Sequence, residues 1–159
     1  MKLTIAAVGK LKGPERELYQ RYADRVTQAG RAMKMGPLTT FELGESRKGS
    51  AAERRAGEAG ALLGRIPDGA MLLVLDEKGE ALRSEEFARF LRKQRDAGTA
   101  DLAFALGGPD GHGNALRERA ARNVSLGAMT LPHGLARVVL VEQLYRAITI
   151  LAGHPYHRR

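Results

Sequence analysis

The chain has 159 residues, of which 43% are hydrophobic, and this length and composition are typical of one globular domain with a substantial core. The absence of cysteine excludes disulfides and thiolate metal sites, and no apolar run approaches the roughly 18 residues that a membrane span requires. The net charge of +8 favours a polyanionic partner, most often nucleic acid, with a merely solvated basic surface as the alternative.

The positive charge is concentrated towards the two ends of the chain. Residues 1–60 carry 12 Lys and Arg against 7 acids, whereas residues 61–110 carry 7 against 9. Residues 111–159 again have an excess, with 7 basic side chains against 2 acids. We therefore expect polyanion contacts from the N-terminal and C-terminal parts.

The first part of the chain alternates predicted strands and helices. A β-branched, apolar strand is predicted over residues 2–8. The helix that follows carries Leu18, Tyr22 and Val26 at a spacing of four, which predicts that this stripe faces the core. A second strand is predicted over residues 38–43.

The middle of the chain continues this alternation. Ser50 and Glu53 have the spacing of a capping box, which predicts the start of a second helix. The uninterrupted apolar run 70–75 predicts a strand that is buried on both faces, and the run 101–106 predicts another. Between these two strands, Ser84 is expected to cap a third helix.

The last third is predicted to contain a short helix over residues 115–122, a fifth strand over 124–129 and an apolar helix over 135–151. Five strand–helix alternations predict an α/β domain spanning residues 1–159, with a mainly parallel sheet and helices on both faces. The last helix is apolar on nearly every face, which is typical of a helix buried in a core or in an oligomer interface. We favour the interface, and hence a homodimer.

Three predicted loops follow strands, and ligands of parallel sheets bind beyond the carboxyl ends of strands. These loops are residues 75–79, 107–111 and 130–134. The three glycines of the second loop would let the backbone approach a ligand closely, but they also suit a plain tight turn. The third loop places His133 just before the last helix, where free backbone amides can bind a polar ligand, although a capping or surface histidine is the alternative.

The C-terminal segment GHPYHRR, residues 153–159, is suited to contacts with phosphates and bases. Its arginines can pair with phosphates and Tyr156 can stack on a base, whereas a frayed basic terminus is the alternative. His154 and His157 have a spacing that could bind a metal, but no third ligand with suitable spacing lies near. We therefore expect no metal site.

The segment LPHGLARVVLVEQLYRAITILAGHPYHRR closely resembles the C-terminal signature of the ribosomal RNA large-subunit methyltransferase H family, which belongs to the SPOUT methyltransferases. The segments AVGKLK, LLVLDEKG and FALGGPDG match the same family in the same order, so the resemblance covers the whole chain. It implies an α/β fold with a C-terminal trefoil knot and a cytoplasmic homodimer. It also implies transfer of a methyl group from S-adenosylmethionine to N3 of a pseudouridine, in helix 69 of 23S rRNA on the assembled ribosome.

The resemblance assigns the three loops to a cofactor pocket that binds adenine through apolar side chains and backbone amides. The residues expected to bind the cofactor are Leu75, Gly107, Gly108, Leu126, Gly127, Ala128, Met129, Thr130 and Leu131. The family's pattern after the glycine loop varies, so His112 inherits no role.

Methylation also requires removal of the N3 proton, either by a neutral histidine or with the help of an arginine that stabilises the imide anion. The candidate residues for catalysis are His133, Arg137, Tyr156, His157 and Arg158. The residues expected to hold the rRNA backbone include Lys10, Lys12, Arg47 and Lys48. Two alternatives stay open: a non-enzymatic RNA-binding or ribosome-assembly protein, and a methyltransferase of the same fold that acts on another RNA.

Overall fold

The structure is a computed structural model, and it describes residues 1–158. Its strands are β1 (Lys2–Val8), β2 (Leu38–Leu43), β3 (Met71–Ala81), β4 (Asp101–Leu106) and β5 (Arg122–Ser125). Its helices are α1 (Gly13–Gly30), α2 (Ala51–Leu63), α3 (Ser84–Asp96), α4 (Asn114–Arg119) and α5 (His133–Leu151).

The five strands form one parallel sheet in the order β2-β1-β4-β3-β5. Alternate residues of β1 supply two separate cores: Ile5 and Ala7 belong to one, and Ala6 and Val8 to the other. Helices α1, α3 and α5 cover the first face of the sheet, and α2 and α4 cover the second. This arrangement confirms the predicted α/β fold with a parallel sheet and helices on both faces. The trefoil knot stays a prediction.

Helix α1 buries a different stripe from the predicted one. Its buried residues include Tyr19, Ala23 and Val26, whereas Leu18 is 37% exposed. The phenol of Tyr19 bonds the hydroxyl of Thr40 at 2.7 Å, so the ring can be buried without leaving its polar end unpaired. The prediction was right for Val26 and for Tyr22, which is half-buried and packs against the same core, and wrong for Leu18, since Tyr19 is buried beside it instead.

Of the two predicted helix caps, the one that begins α2 is confirmed and the one that begins α3 is wrong. The capping box of α2 is confirmed, since the amide of Glu53 donates to Ser50 Oγ at 3.1 Å and its carboxylate accepts from the Ser50 amide at 3.0 Å. Ser84, in contrast, is the first residue of α3 rather than its cap. Its hydroxyl donates to Gln143 Oε1 of α5 at 2.7 Å, so it joins two helices instead.

The predicted fifth strand is shorter than expected and leaves a longer loop. Strand β5 ends at Ser125, where the Ser125 hydroxyl donates to the carbonyl of Gly127 at 2.9 Å. Gly127 has a φ of 138°, which favours glycine and turns the chain out of the sheet. Residues 126–131, which the sequence placed partly in a strand, are therefore free to form a wall at the sheet edge.

Arg137 ties helix α5 to the carboxyl ends of β1 and β2. Its side chain is 2% exposed, and Nη1 donates to Glu42 Oε2 at 2.6 Å. Nη2 donates to the carbonyls of Val8 at 3.0 Å and Gly9 at 2.9 Å. The same Glu42 oxygen accepts the amide of Leu11 at 2.7 Å. One guanidinium therefore fixes the first turns of α5, two strand ends and the loop after β1.

We expect the Arg137→Met variant to lose about 3 kcal/mol of unfolding free energy, because Glu42 and two strand-end carbonyls lose their donor. Urea unfolding followed by circular dichroism measures this loss. Arg92→Met is the matched control, since Arg92 is exposed on α3, and it should change stability by less than about 0.5 kcal/mol. Equal stability of the two variants would show that Arg137 does not anchor α5.

Candidate ligand-binding site

A cavity of about 760 Å³ lies beside residues 75–78 in the middle of β3 and at the carboxyl ends of β4 and β5. This volume is typical of small-molecule sites, which measure roughly 300–1,000 Å³. Eight of the nine residues predicted to bind a cofactor line it, and Ala128 does not. The eight are Leu75, Gly107, Gly108, Leu126, Gly127, Met129, Thr130 and Leu131.

The glycine loop needs glycine for space at two positions. A Cβ on Gly107 would lie 2.6 Å from the carbonyl oxygen of Gly111 and 2.7 Å from His112 Nδ1. A Cβ on Gly108 would lie 2.9 Å from Glu58 Oε2. Real Cβ atoms essentially never approach so closely, so any larger residue would displace this wall of the cavity. The loop is therefore more than a tight turn: its close packing shapes the cavity.

Helix α2 holds the glycine loop from behind. Arg54 Nε donates to Asp110 Oδ2 at 2.7 Å, and Nη2 donates to Oδ1 at 3.3 Å. The hydrogen bonds from Arg54 hold the pKa of Asp110 below its ordinary value. Arg54 Nη1 also donates to the carbonyls of Lys48 and Gly49, so one side chain links the exposed basic loop before α2 to the cavity wall.

Two charged side chains that line the cavity, Asp76 and Arg117, form an ion pair, and neither was among the residues predicted for the site. Asp76 Oδ2 accepts from Arg117 Nε at 3.0 Å and lies 4.0 Å from His112 Nε2. Burial raises the pKa of Asp76, but the Lys78 amide and the charge of Arg117 outweigh this effect. In the acid range where Asp76 titrates, His112 is protonated and its charge acts in the same direction, so the pKa of Asp76 lies below its ordinary value. Burial lowers the pKa of His112, so its imidazole is neutral at neutral pH.

The sequence held a signal for one member of this ion pair. Asp76 directly follows the apolar run of β3, and only Leu75 was selected from this part of the chain. The prediction of a loop over residues 75–79 was wrong, because β3 continues through them to Ala81 with a register shift against β5 between Leu75 and Glu80. Arg117 lies on α4, 41 residues further along, and no spacing connects it with Asp76. Only the folded sheet brings these two side chains together.

His133 lines the cavity at the start of α5, beside the loop that follows β1. A Cβ on Gly134 would lie 3.4 Å from Leu11, which shows how closely this loop approaches. Lys10 and Lys12 flank Leu11 and are exposed. The predicted basic residues of this loop therefore lie next to the rim of the cavity.

The predicted tail residue Tyr156 lies outside the cavity lining. Its hydroxyl donates to Glu142 Oε1 at 2.9 Å and lies 3.1 Å from the Tyr22 hydroxyl. Burial and hydrogen bonds with Tyr22 and Glu142 raise the pKa of Tyr156. Its phenol is therefore protonated at neutral pH and acts as a donor in this arrangement.

His157 and Arg158 also lie away from the cavity. His157 Nε2 is 3.0 Å from Glu85 Oε1, and its Nδ1 is 3.3 Å from Arg146 Nη1. Arg158 is exposed. The tail folds back over residues 142–146 of α5, which begin nine positions after His133, or about 14 Å further along the helix at 1.5 Å per residue. The structure therefore does not bring the tail groups and the cavity together within one chain.

Arg137, the remaining candidate for catalysis, lies behind the cavity. Its Nη groups already donate to Glu42, Val8 and Gly9, and it is absent from the lining. Its position is that of a residue that supports the site from within the core.

Residues 1–158 offer neither a group of side chains suited to a metal ion nor a helix suited to span a membrane. No group of three His, Asp or Glu side chains in this part of the chain is arranged to hold a metal ion. His154, half of the histidine pair considered from the sequence, instead accepts the amide of Tyr156 at 3.2 Å. Among the described helices, none combines the length and apolarity of a membrane span.

Comparison with known proteins matches the sequence of this chain to one family. The model of the family described as predicted SPOUT methyltransferase matches residues 1–157. A protein of Xanthobacter autotrophicus named ribosomal RNA large subunit methyltransferase H is 51% identical over 159 residues, covering 99% of each chain. Proteins of the same name from Rhizobium meliloti and Brucella anthropi are 50% and 49% identical over the same length and coverage. The chain therefore belongs to the SPOUT methyltransferases, and within them to the family of ribosomal RNA large subunit methyltransferase H.

Proposed function

We propose that this chain transfers a methyl group from S-adenosylmethionine to N3 of a pseudouridine in helix 69 of 23S rRNA, on the assembled ribosome. The observation that carries the proposal is the cavity itself, since eight of the nine residues that the family resemblance assigns to the cofactor line one cavity. Full-length relatives named as ribosomal RNA methyltransferases support the class of substrate. We expect the protein to act in the cytoplasm.

The cavity suits an adenosine-containing ligand. Its walls include the apolar side chains of Leu75, Leu126 and Leu131 and the bare backbone of Gly107. Because any Cβ at Gly107 would collide with its surroundings, the ligand meets main chain rather than a side chain there. Apolar surfaces and backbone groups together can hold an adenine ring by stacking and by hydrogen bonds.

S-adenosylmethionine supplies an electrophilic methyl group on a sulfonium, and transfer to N3 leaves S-adenosylhomocysteine and releases the N3 proton. The chain must therefore place the target base against the cavity and provide an acceptor for that proton. His133 is the only one of the five candidate residues for catalysis that lines the cavity. We propose it as a proton acceptor or as a group that positions the base.

The tail is proposed to act on the cavity of a second copy of the chain. Tyr156, His157 and Arg158 do not line their own cavity, and the first two are bonded to Glu142 and Glu85 instead, which favours their use at the cavity of a partner chain. A homodimer, as the family resemblance implies, can place the partner's tail at the cavity. Met129, at the cavity, is 84% exposed and Leu135 is 44% exposed, which gives a partner apolar surface to cover.

Arg137 has a structural role in this proposal, because Glu42 and two carbonyls occupy its Nη groups. Stabilisation of the imide anion falls instead to Arg158, which is exposed. Lys10 and Lys12, together with Arg47 and Lys48 before α2, are exposed and suited to hold rRNA phosphates.

Deletion of the gene that encodes this chain should leave the helix 69 pseudouridine without its N3 methyl group, because we propose this chain as the enzyme that adds it. Mass spectrometry of 23S rRNA fragments measures the modification, and the plasmid-borne gene should restore it. Purified chain should also bind S-adenosylmethionine in equilibrium dialysis. Unchanged methylation in the deletion strain would contradict the rRNA assignment, and binding of RNA without the methyl donor would favour a non-enzymatic RNA-binding protein.

Gly107→Ala should weaken binding of S-adenosylhomocysteine at least about 10-fold, because the added Cβ displaces His112 and the Gly111 carbonyl from the cavity wall. Isothermal titration calorimetry measures the affinity. Gly60→Ala is the matched control: it makes the same change in α2, where a Cβ meets nothing within 4 Å, and should bind like wild type. Equal binding by both variants would place the ligand elsewhere.

Mixing two impaired variants tests the composite site, at a cofactor concentration low enough that neither variant alone has measurable activity. Gly107→Ala damages the cavity and His157→Ala damages the tail, so a mixed dimer retains one intact pairing of cavity and tail. A refolded equimolar mixture should recover about a quarter of wild-type single-turnover activity on ribosomes, since half of the dimers are mixed and each has one working site. His133→Ala in place of His157→Ala should recover nothing, because it damages the same cavity. Recovery in neither mixture would show that tail and cavity act within one chain.

A further inference from the structure

The charged end of the cavity is the part that the proposed function does not yet use. Most of the cavity wall is apolar or backbone, but Asp76 and Arg117 form an ion pair at one end. The Asp76 side chain is 11% exposed, whereas that of Arg117 is 46% exposed. An anionic and a cationic group therefore lie side by side in the same cavity.

Both members of the pair have bonding capacity left. Only Nε of Arg117 is engaged, and no hydrogen bond within residues 1–158 occupies its Nη groups. Asp76 accepts the Lys78 amide on Oδ1 and Arg117 on Oδ2, and a carboxylate offers about four acceptor positions. The pair can therefore receive a ligand that itself carries one positive and one negative group.

His112 supports Asp76 without adding a charge. Its side chain is 9% exposed, and its Nε2 lies 4.0 Å from Asp76 Oδ2. Its Nδ1 is buried without a hydrogen-bond partner in residues 1–158 and is packed against Gly107. Because burial lowers the pKa of His112, the imidazole does not compete with a cationic ligand group for the carboxylate at neutral pH.

The methyl donor combines the same two kinds of group as the cavity lining, apolar and charged. Its adenosine end is largely apolar and suits the leucine-lined wall, whereas its amino-acid end carries an α-ammonium and an α-carboxylate. We propose that Arg117 binds the α-carboxylate and Asp76 the α-ammonium of the donor, so that this pair selects the amino-acid end and orients the molecule in the cavity. This inference rests on the proposed function and adds the residues that choose the ligand's orientation.

Two ligands separate this role from general support of the cavity. S-adenosylhomocysteine has the amino-acid end, whereas 5′-methylthioadenosine keeps the adenosine and the sulfur and lacks it. Titration calorimetry on the full chain should show that wild type binds S-adenosylhomocysteine more tightly than 5′-methylthioadenosine. Arg117→Gln and Asp76→Asn should each weaken S-adenosylhomocysteine binding about 10-fold and leave 5′-methylthioadenosine binding unchanged, because only the first ligand offers charged partners.

Arg92→Gln and Asp68→Asn are matched controls, since they make the same chemical changes at exposed side chains outside the cavity lining, and neither should change either affinity more than about twofold. Unchanged 5′-methylthioadenosine binding also shows that each variant is folded. Equal loss of both ligands, no loss of either, or a larger effect in the control variants would overturn the inference while leaving the proposed function intact. A wild-type chain that binds neither ligand would overturn both.

Discussion

The buried guanidinium of Arg137 is the interaction on which the geometry of the site depends. It joins the beginning of α5 to the main-chain carbonyls at the end of β1 and, through Glu42, to the end of β2. The cavity opens at this same edge of the sheet, with His133 one helical turn before Arg137. A charge with 2% exposure is costly unless it is paired, so the bonds of its Nη groups to Glu42 and to the Val8 and Gly9 carbonyls favour one position of α5 against the sheet, although its buried Nε has no partner in residues 1–158.

The cavity that results is shaped by backbone more than by side chains. Gly107 and Gly108 pack so closely against their neighbours that no Cβ fits, and Gly127 turns the chain out of β5 into the opposite wall. Such walls cannot adjust by changing a rotamer, so the shape of the cavity depends on the supports behind them. Arg54 provides one of these supports by holding Asp110 and the carbonyls of residues 48 and 49 together.

Much of the fold could be predicted from the sequence because its signals are local. Apolar runs fixed β3 and β4 at their starts, and the Ser50–Glu53 spacing fixed the start of α2. The errors arose where tertiary contacts compete with local preference: Tyr19 replaced Leu18 in the core because Thr40 pairs its hydroxyl, and Ser84 bonds Gln143 rather than capping α3. The second and third cavity loops were predictable from motif and from the position of strand ends, whereas the predicted loop 75–79 lies within β3. The pairing of Asp76 with Arg117 was not, because it depends on the folded sheet.

Helix α5 is apolar on nearly every face, a pattern that suits burial either in the core of one chain or in an interface between chains. Val138, Val141, Leu144 and Ile148 are at most 6% exposed in a single chain, so α1, α3 and the sheet already account for most of the pattern. Surface that a partner chain could cover therefore lies at the ends of this helix rather than in its middle. At the N-terminal end lies a cavity with exposed Met129 and Leu135 at and beside it, and at the C-terminal end lies a tail rich in polar groups. Because the tail folds back on α5 outside the cavity lining, we propose that a target base meets both the cavity and a tail only when two chains are combined.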